Sequence, residues 1–326
     1  MATKAEIAEL AGVSPATVSN FYNGKYKMAE ETKQKIIEAA RKLGYPEPEP
    51  RRSNNTKKTT LLVADDLLNP HYGSILNGMT KVAMQNSICV SMCKLWDDVD
   101  KFCEMIISEG FYAVYFVSAS KSVLRRHINF LSDNGVKVFF SWNNFNIDFD
   151  MLLDKAIKYF IDLGHSRIAY LSGLSIDDDQ NVRYKSYLKA LQANNLPVDP
   201  ELIIDGIYPY NTDSKSGYWA TVSFLKKNVD FTAIIALNDL LAIGSMNALA
   251  ENGLNVPEDV SVLGCDDIVM SEYVNPPLST MRYSTSDIGS RTMYSIIHPE
   301  ENSGSVPVTL QTELVIRKST GKAPEK

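Results

Sequence analysis

The sequence is poor in the groups that build covalent or metal-held scaffolds. Its 326 residues include only four cysteines and four histidines. Cys89, Cys93, Cys103 and Cys265 lie in or beside apolar runs, without the density of a disulfide framework. That predicts buried, reduced thiols. The histidines lack partners at ligand spacing, so no metal site is expected. No apolar stretch approaches the roughly 18–20 residues that span a bilayer, and no membrane partner is expected. The opening residues, MATKAEIAELAGVS, lack the apolar core of an export signal, which points to a cytoplasmic protein. Also missing are G-x-S-x-G, a Walker-type G-x-x-x-x-G-K-[ST], H-E-x-x-H and G-x-G-x-x-G, so no enzyme activity is expected.

Net positive charge is missing too: the formal charge is -6. Taken alone, that argues against a nucleic-acid partner. The distribution reverses the argument. Residues 1–60 carry 11 Lys/Arg against 7 Asp/Glu, a net of +4, whereas the other 266 carry 22 against 32, a net of -10. A small basic module heads a larger acidic body. Hydrophobic residues at 44% and charged residues at 22% describe a folded chain, not a disordered one.

The basic module reads as three short helices. Ala5–Ala11 is stopped by Gly12; Ser14 and Pro15 supply an N-cap and a first helical residue for Pro15–Tyr22; Glu30–Leu43 has Ile36, Ile37, Ala39, Ala40 and Leu43 at helical spacing. Small or polar residues dominate the outward positions of the second helix: Ser14, Ala16, Thr17, Ser19 and Asn20, with Asn23 just beyond. Short side chains let a helix start approach a duplex. Its hydroxyls and backbone amides then meet phosphate, and an amide side chain pairs with an adenine edge. A capped surface helix of no particular function satisfies the same pattern.

From residue 61 the pattern alternates. Apolar strands are expected at 60–66, 87–93, 112–119 and 136–142, separated by helices near 73–86, 99–109, 121–133 and 149–163. The cycle restarts with strands at 167–173, 201–206, 232–239 and 260–267 and helices near 181–193, 214–227 and 241–252. Strand–helix alternation predicts an α/β body of two parallel-sheet lobes, with ligands at the strand C-terminal ends. Asp65, Asp66, Trp142, Asn143, Asn238, Asp239, Cys265, Asp266 and Asp267 collect there.

AEIAELAGVSPATVSNFYNG followed by ETKQKIIEAARKLGY resembles the helix-turn-helix headpiece of the lactose/galactose repressor family of bacterial transcription regulators. Ile7-Ala8, Ala11-Gly12-Val13-Ser14, Thr17-Val18-Ser19 and Asn23-Gly24 carry the likeness. It continues through Asn69-Pro70-His71-Tyr72, Leu163-Gly164-His165, Asn181 with Arg183, Ser216-Gly217-Tyr218, Asn238-Asp239, Pro276-Pro277-Leu278-Ser279-Thr280 and the closing LVIRKST at 314–320.

The resemblance implies a headpiece over 1–45, a linker over 46–60, and a two-lobed body of the periplasmic-binding-protein type. The first lobe would comprise 61–162 and 281–326, the second 163–280. Pro15, Ala16 and Asn20 would read bases; Ser14, Thr17, Ser19, Asn23, Arg51 and Arg52 would serve phosphate or hinge. Asn54 stands where the family places the leucine that wedges into the minor groove, so a weaker kink is expected. His71, Tyr72, Trp142, Arg183, Asp239 and Asp266 would line an effector cleft, with Tyr210 and Trp219 as further candidates. The expected molecule is a homodimeric repressor on a near-palindromic double-stranded operator, needing no cofactor and released by a small sugar. A corepressor-dependent regulator taking a purine or a helper protein is the alternative, and a solute-binding protein a remoter one.

Overall fold

The structure, a computed structural model, describes residues 3–23, 28–45, 58–118, 121–140, 145–177, 181–206, 211–300 and 307–325; the side chains of Asn23, Glu30 and 121–123 lie outside that description. Two compact units divide the chain, Met1–Lys57 and Lys58–Lys326. The expected linker thus falls outside the described residues up to position 57.

In the first unit, helices α1 (Lys4–Ala11), α2 (Pro15–Asn23) and α3 (Glu30–Lys42) enclose one small core of Ile7, Ala8, Ala11, Val18, Ile36, Ala39 and Ala40. Thr3 and Glu6 form a reciprocal capping box that starts α1. Gly12 ends it at φ +66, a left-handed conformation that suits glycine. Val13 follows and packs against the core, which fixes the turn between α1 and α2.

Among the described residues, the second unit holds two large sheets and one of two short strands. The first runs β2 (Cys89–Lys94), β1 (Thr59–Ala64), β3 (Ala113–Phe116), β4 (Lys137–Phe140), all parallel. Alternation along β1 sends Leu62 and Ala64 into a core with Ile75 and Met79 of α4 (Pro70–Gln85). Leu61 and Val63 go to a separate core with Phe102 and Ile106 of α5 (Val99–Ser108) and Leu124 and Leu131 of α6 (Lys121–Asp133). Helix α4 starts three residues before the expected position, because Asn69 caps it and Pro70 opens it. Strand β2 is an edge, which corrects one expectation: Cys89 is exposed and Cys93 half-buried.

Short β5 (Phe145–Asn146) and α7 (Phe149–Asp162) lead into the second sheet. Its order is β12 (Thr312–Val315), β10 (Ser279–Tyr283), β9 (Ser261–Cys265), β8 (Ala233–Ala236), β6 (Ile168–Leu171), β7 (Ile203–Ile204). Only β12 is antiparallel to its neighbour. Helix α7 packs with α8 (Val182–Ala193), and α9 (Ser214–Leu225) with α10 (Asp239–Glu251).

Beyond β10, helix α11 (Thr285–Ile297) packs on α4, and β11 (Val308–Thr309) pairs with β5. The chain then returns: β12 joins the second sheet, Val262 donates to Ser319 O, and Ala323 to Leu163 O. Assigning all of 281–326 to the first lobe is therefore corrected for β12 and the tail. The pairing edge of β10 captures them.

Candidate functional site

The first unit offers a helix start. Ser14 Oγ accepts from Thr17 N at 3.1 Å and bonds Thr17 Oγ1 at 2.8 Å, so the capping hydroxyls are fixed. Ser14, Pro15 and Ala16 are exposed, Thr17, Ser19 and Asn20 half-buried, and Val18 fully buried. Burying Val18 leaves Ser14, Pro15 and Ala16 outward at the positive end of the helix dipole.

A cavity of about 490 Å³ opens between the two sheets of the second unit. The first lobe contributes Asp65 after β1, Asn69, His71 and Tyr72 at the start of α4, and Ser118 after β3. The second contributes Asn181 and Arg183 at the start of α8, Leu237 and Asn238 after β8, and Asp266 after β9. Phe145, Phe149 and Tyr283 come from the connecting segments and the end of β10. Strand ends and helix starts thus converge from both lobes, where parallel α/β sheets place ligands.

Arg183 is the hub. Its guanidinium donates to Leu237 O, to Asp266 Oδ1 at 3.1 Å and to Tyr283 Oη at 2.9 Å, and lies over the Phe149 ring at 4.9 Å. Tyr283 in turn donates to Asp266 Oδ1 at 2.7 Å. Asp266 carries φ +110, a backbone region that L residues rarely adopt, and the following Asp267 carries φ +52. Strain of this kind costs roughly 1–3 kcal/mol and persists where the surroundings hold it. Here Asp266 N bonds Met281 O, while Arg317 and Arg282 pair with Asp267.

His71 faces Asp266 from the first lobe, Nδ1 to Oδ2 at 3.7 Å, too long for a hydrogen bond. Burial pushes its imidazole below the usual range; Asp266 opposes that and Arg183 reinforces it. Tyr72 is pushed far up by burial and by Asp65, to which its hydroxyl donates. Among the described residues no cluster of three or more His, Cys, Asp or Glu could hold a metal, and no helix is long and apolar enough to cross a membrane.

The family described as "Periplasmic binding protein-like domain" matches residues 157–320, and "Bacterial regulatory proteins, lacI family" matches 3–47. The chain belongs to the lacI family. It is similar to the HTH-type transcriptional repressor PurR of Histophilus somni, 29% identical over 98% of this chain and 99% of that one. In fold it is similar to the CelR regulator–cellobiose complex (22% identity, 98% and 100% of the two chains, TM-score 0.68). The lac repressor dimer bound to operator and the anti-inducer ONPF is as close (21%, 98% and 99%, TM-score 0.68). This lacI-family chain is a DNA-binding transcriptional regulator, not an enzyme.

Of the effector residues expected from sequence, His71, Tyr72, Arg183 and Asp266 line the cavity. Asp239 does not, and is corrected: fully buried, it accepts from Ile268 N and from the Ser271 and Thr280 hydroxyls, ordering the turn after β9. Gly264 makes room, since a Cβ there would overlap Asp239 Oδ1. Trp219 is also corrected; it lies half-exposed on α9, against Tyr218 and away from the cavity. Trp142, Tyr210, Arg51, Arg52 and Asn54 lie outside the described residues, as does the side chain of Asn23.

Tyr283, Phe149, Phe145, Asn146 and Ser118 were not foreseen. Asn181 and Asn238 carried a signal, but one that reads equally as helix capping, and both do cap helices. His165 binds Thr232 Oγ1 and Gly321 O, a structural role for a buried ring.

Proposed function

We propose that this repressor takes a flat, purine-class effector in the inter-lobe cavity, in place of the sugar expected from sequence. The supporting observation is that the polar groups on the second-lobe side of the cavity are largely committed to one another. A sugar asks for a partner at each hydroxyl, because buried polar groups without one are costly. Yet Asn181 bonds Tyr184 N, Ser172 Oγ and Ser175 O. Asn238 bonds Leu241 N and Thr212 O. Tyr283 and Asp266 Oδ1 are held by Arg183.

Among the described residues, Asp266 Oδ2 and His71 Nδ1 are left without a hydrogen bond, as are the amide nitrogen of Asn69 and the side chains of Asn146 and Thr212, beside Phe149, Phe145, Ile147, Leu174 and Ile288. Apolar and aromatic walls with one acceptor-rich edge suit a base that has two apolar faces and a single N–H edge. Two sequence relatives that align over nearly the whole chain, from Histophilus somni and Pasteurella multocida, are repressors named PurR, which favours the same class.

The repressor would act in the cytoplasm as a homodimer. Its two headpieces would dock on half-sites of a near-palindromic operator, with Ala16 and Asn20 at base edges and Ser14, Thr17 and Ser19 at phosphate. The effector is tested by calorimetric titration of the full chain with purine bases and nucleosides against mono- and disaccharides. Saturable purine binding is expected, weakened at least about 10-fold by Asp266→Asn, since a charge-assisted hydrogen bond is worth roughly 1.5–3 kcal/mol. Saturable binding of a sugar, with no purine bound, would contradict it.

A further inference from the structure

The acidic body carries a cationic feature at the edge of the first sheet opposite the cavity. Lys58, Tyr112 and Lys137 lie at the N-terminal ends of β1, β3 and β4. The two ammonium groups each lie 4.6 Å from the centroid of the Tyr112 ring, and Lys137 Nζ donates to Tyr112 Oη at 2.6 Å. Sheet-edge hydrogen bonds fix the backbone of all three: Cys89 N to Lys58 O, Tyr112 N to Thr59 O, Lys137 N to Tyr112 O. Two like charges on one ring repel each other. The ring's negative face offsets only part of that, because a cation–π contact at an exposed site is worth about 0.5–1 kcal/mol. Among the described residues neither lysine has an ion-pair partner. Glu109 and Asp133, near the ends of α5 and α6 at the same edge, make no ion pair with them.

We propose that Lys58 and Lys137 form a phosphodiester-binding site through which the effector-binding unit itself touches operator DNA. A phosphate between the two ammonium groups supplies the missing counter-charge, and Tyr112 holds the pair at fixed spacing. Chain position supports DNA as the source of that phosphate. Lys58 directly follows the segment that leads from the helix-turn-helix unit, and that segment adds Arg51, Arg52 and Lys57. Only 12 residues separate Lys58 from Tyr45 in the chain. Phosphate contacts carry no base information, so the site adds affinity without changing the operator sequence read.

The test measures binding of the full chain to its operator and to an unrelated duplex by fluorescence anisotropy, over a range of potassium chloride concentrations. Lys58→Gln with Lys137→Gln should lower the slope of log K against log salt by about one to two units, at about 0.9 per phosphate. Affinity for both duplexes should fall by the same factor, about 5- to 30-fold at low salt, while thermal unfolding stays unchanged. Lys58→Arg with Lys137→Arg should restore slope and affinity. An unchanged slope in the glutamine pair would overturn the proposal. So would a loss that the arginine pair does not restore, or a loss confined to the operator.

Discussion

Asp239 shows how a carboxylate beside the cavity serves by ordering a turn rather than by lining the cavity. Burial, then the charge of Asp266, pushes its carboxyl up to about 7. An unfolded aspartate releases its proton near 3.8, so between those values the native state holds a proton that the unfolded state has lost. Stability therefore declines as pH rises from about 4 through about 7 and levels off above. Each factor of ten in proton affinity is worth about 1.4 kcal/mol, so the whole decline amounts to a few kcal/mol. Urea denaturation at stepped pH measures it. Asp239→Asn should flatten this component while lowering stability overall, because an amide offers one accepting oxygen where Ile268 N, Ser271 and Thr280 use two. A wild-type curve that rises through the same window, or one unaltered by the substitution, would remove Asp239 from this role.

Between elements, the two lobes share a device: helix pairs whose backbones meet at facing glycines. A side chain on Gly78 of α4 would overlap Ser286 O, and one on Gly289 of α11 would overlap Ile75 O. In the other lobe, Gly217 of α9 would meet Leu241 O, and Gly244 of α10 would meet Ser214 O. Backbone on both sides leaves no flexible atom to yield. Gly244→Ala should accordingly destabilise the protein by roughly 1–3 kcal/mol, seen as a lower denaturation midpoint with an unchanged slope. A midpoint equal to wild type would show that α9 and α10 can separate freely.

These pairings mark where sequence stops informing. The helices and strands were legible because each announces itself within its own ten residues: Ser14-Pro15 before α2, alternation along β1. Gly78 and Gly289 are far apart in the chain, and nothing local links them. Tyr283 escaped for the same reason. It reaches Asp266 only because β10 pairs with β9 in a register that sets Met281 beside Cys265. Asp266 was legible because strand ends point into the cleft whatever the register, and Arg183 through the family resemblance. Asp239 sits at the same kind of strand end, yet Gly264 lets it turn under the sheet, which the local pattern does not reveal.

At the scale of the whole molecule, the charge split and the cavity belong to two parts: a basic unit, and an acidic unit whose cavity, the proposed effector site, draws on both lobes. His71 belongs to one lobe and Arg183 and Asp266 to the other, so a ligand gripping both favours one state of closure. Coupling to DNA then follows by linkage, and it must be reciprocal. The most direct test is to measure operator affinity of the full chain with and without a saturating purine base, and purine affinity with and without operator. Both affinities should change by the same factor, about 5- to 150-fold, and Asp266→Asn should abolish the change. A purine that binds the cavity and leaves operator affinity untouched would contradict this coupling.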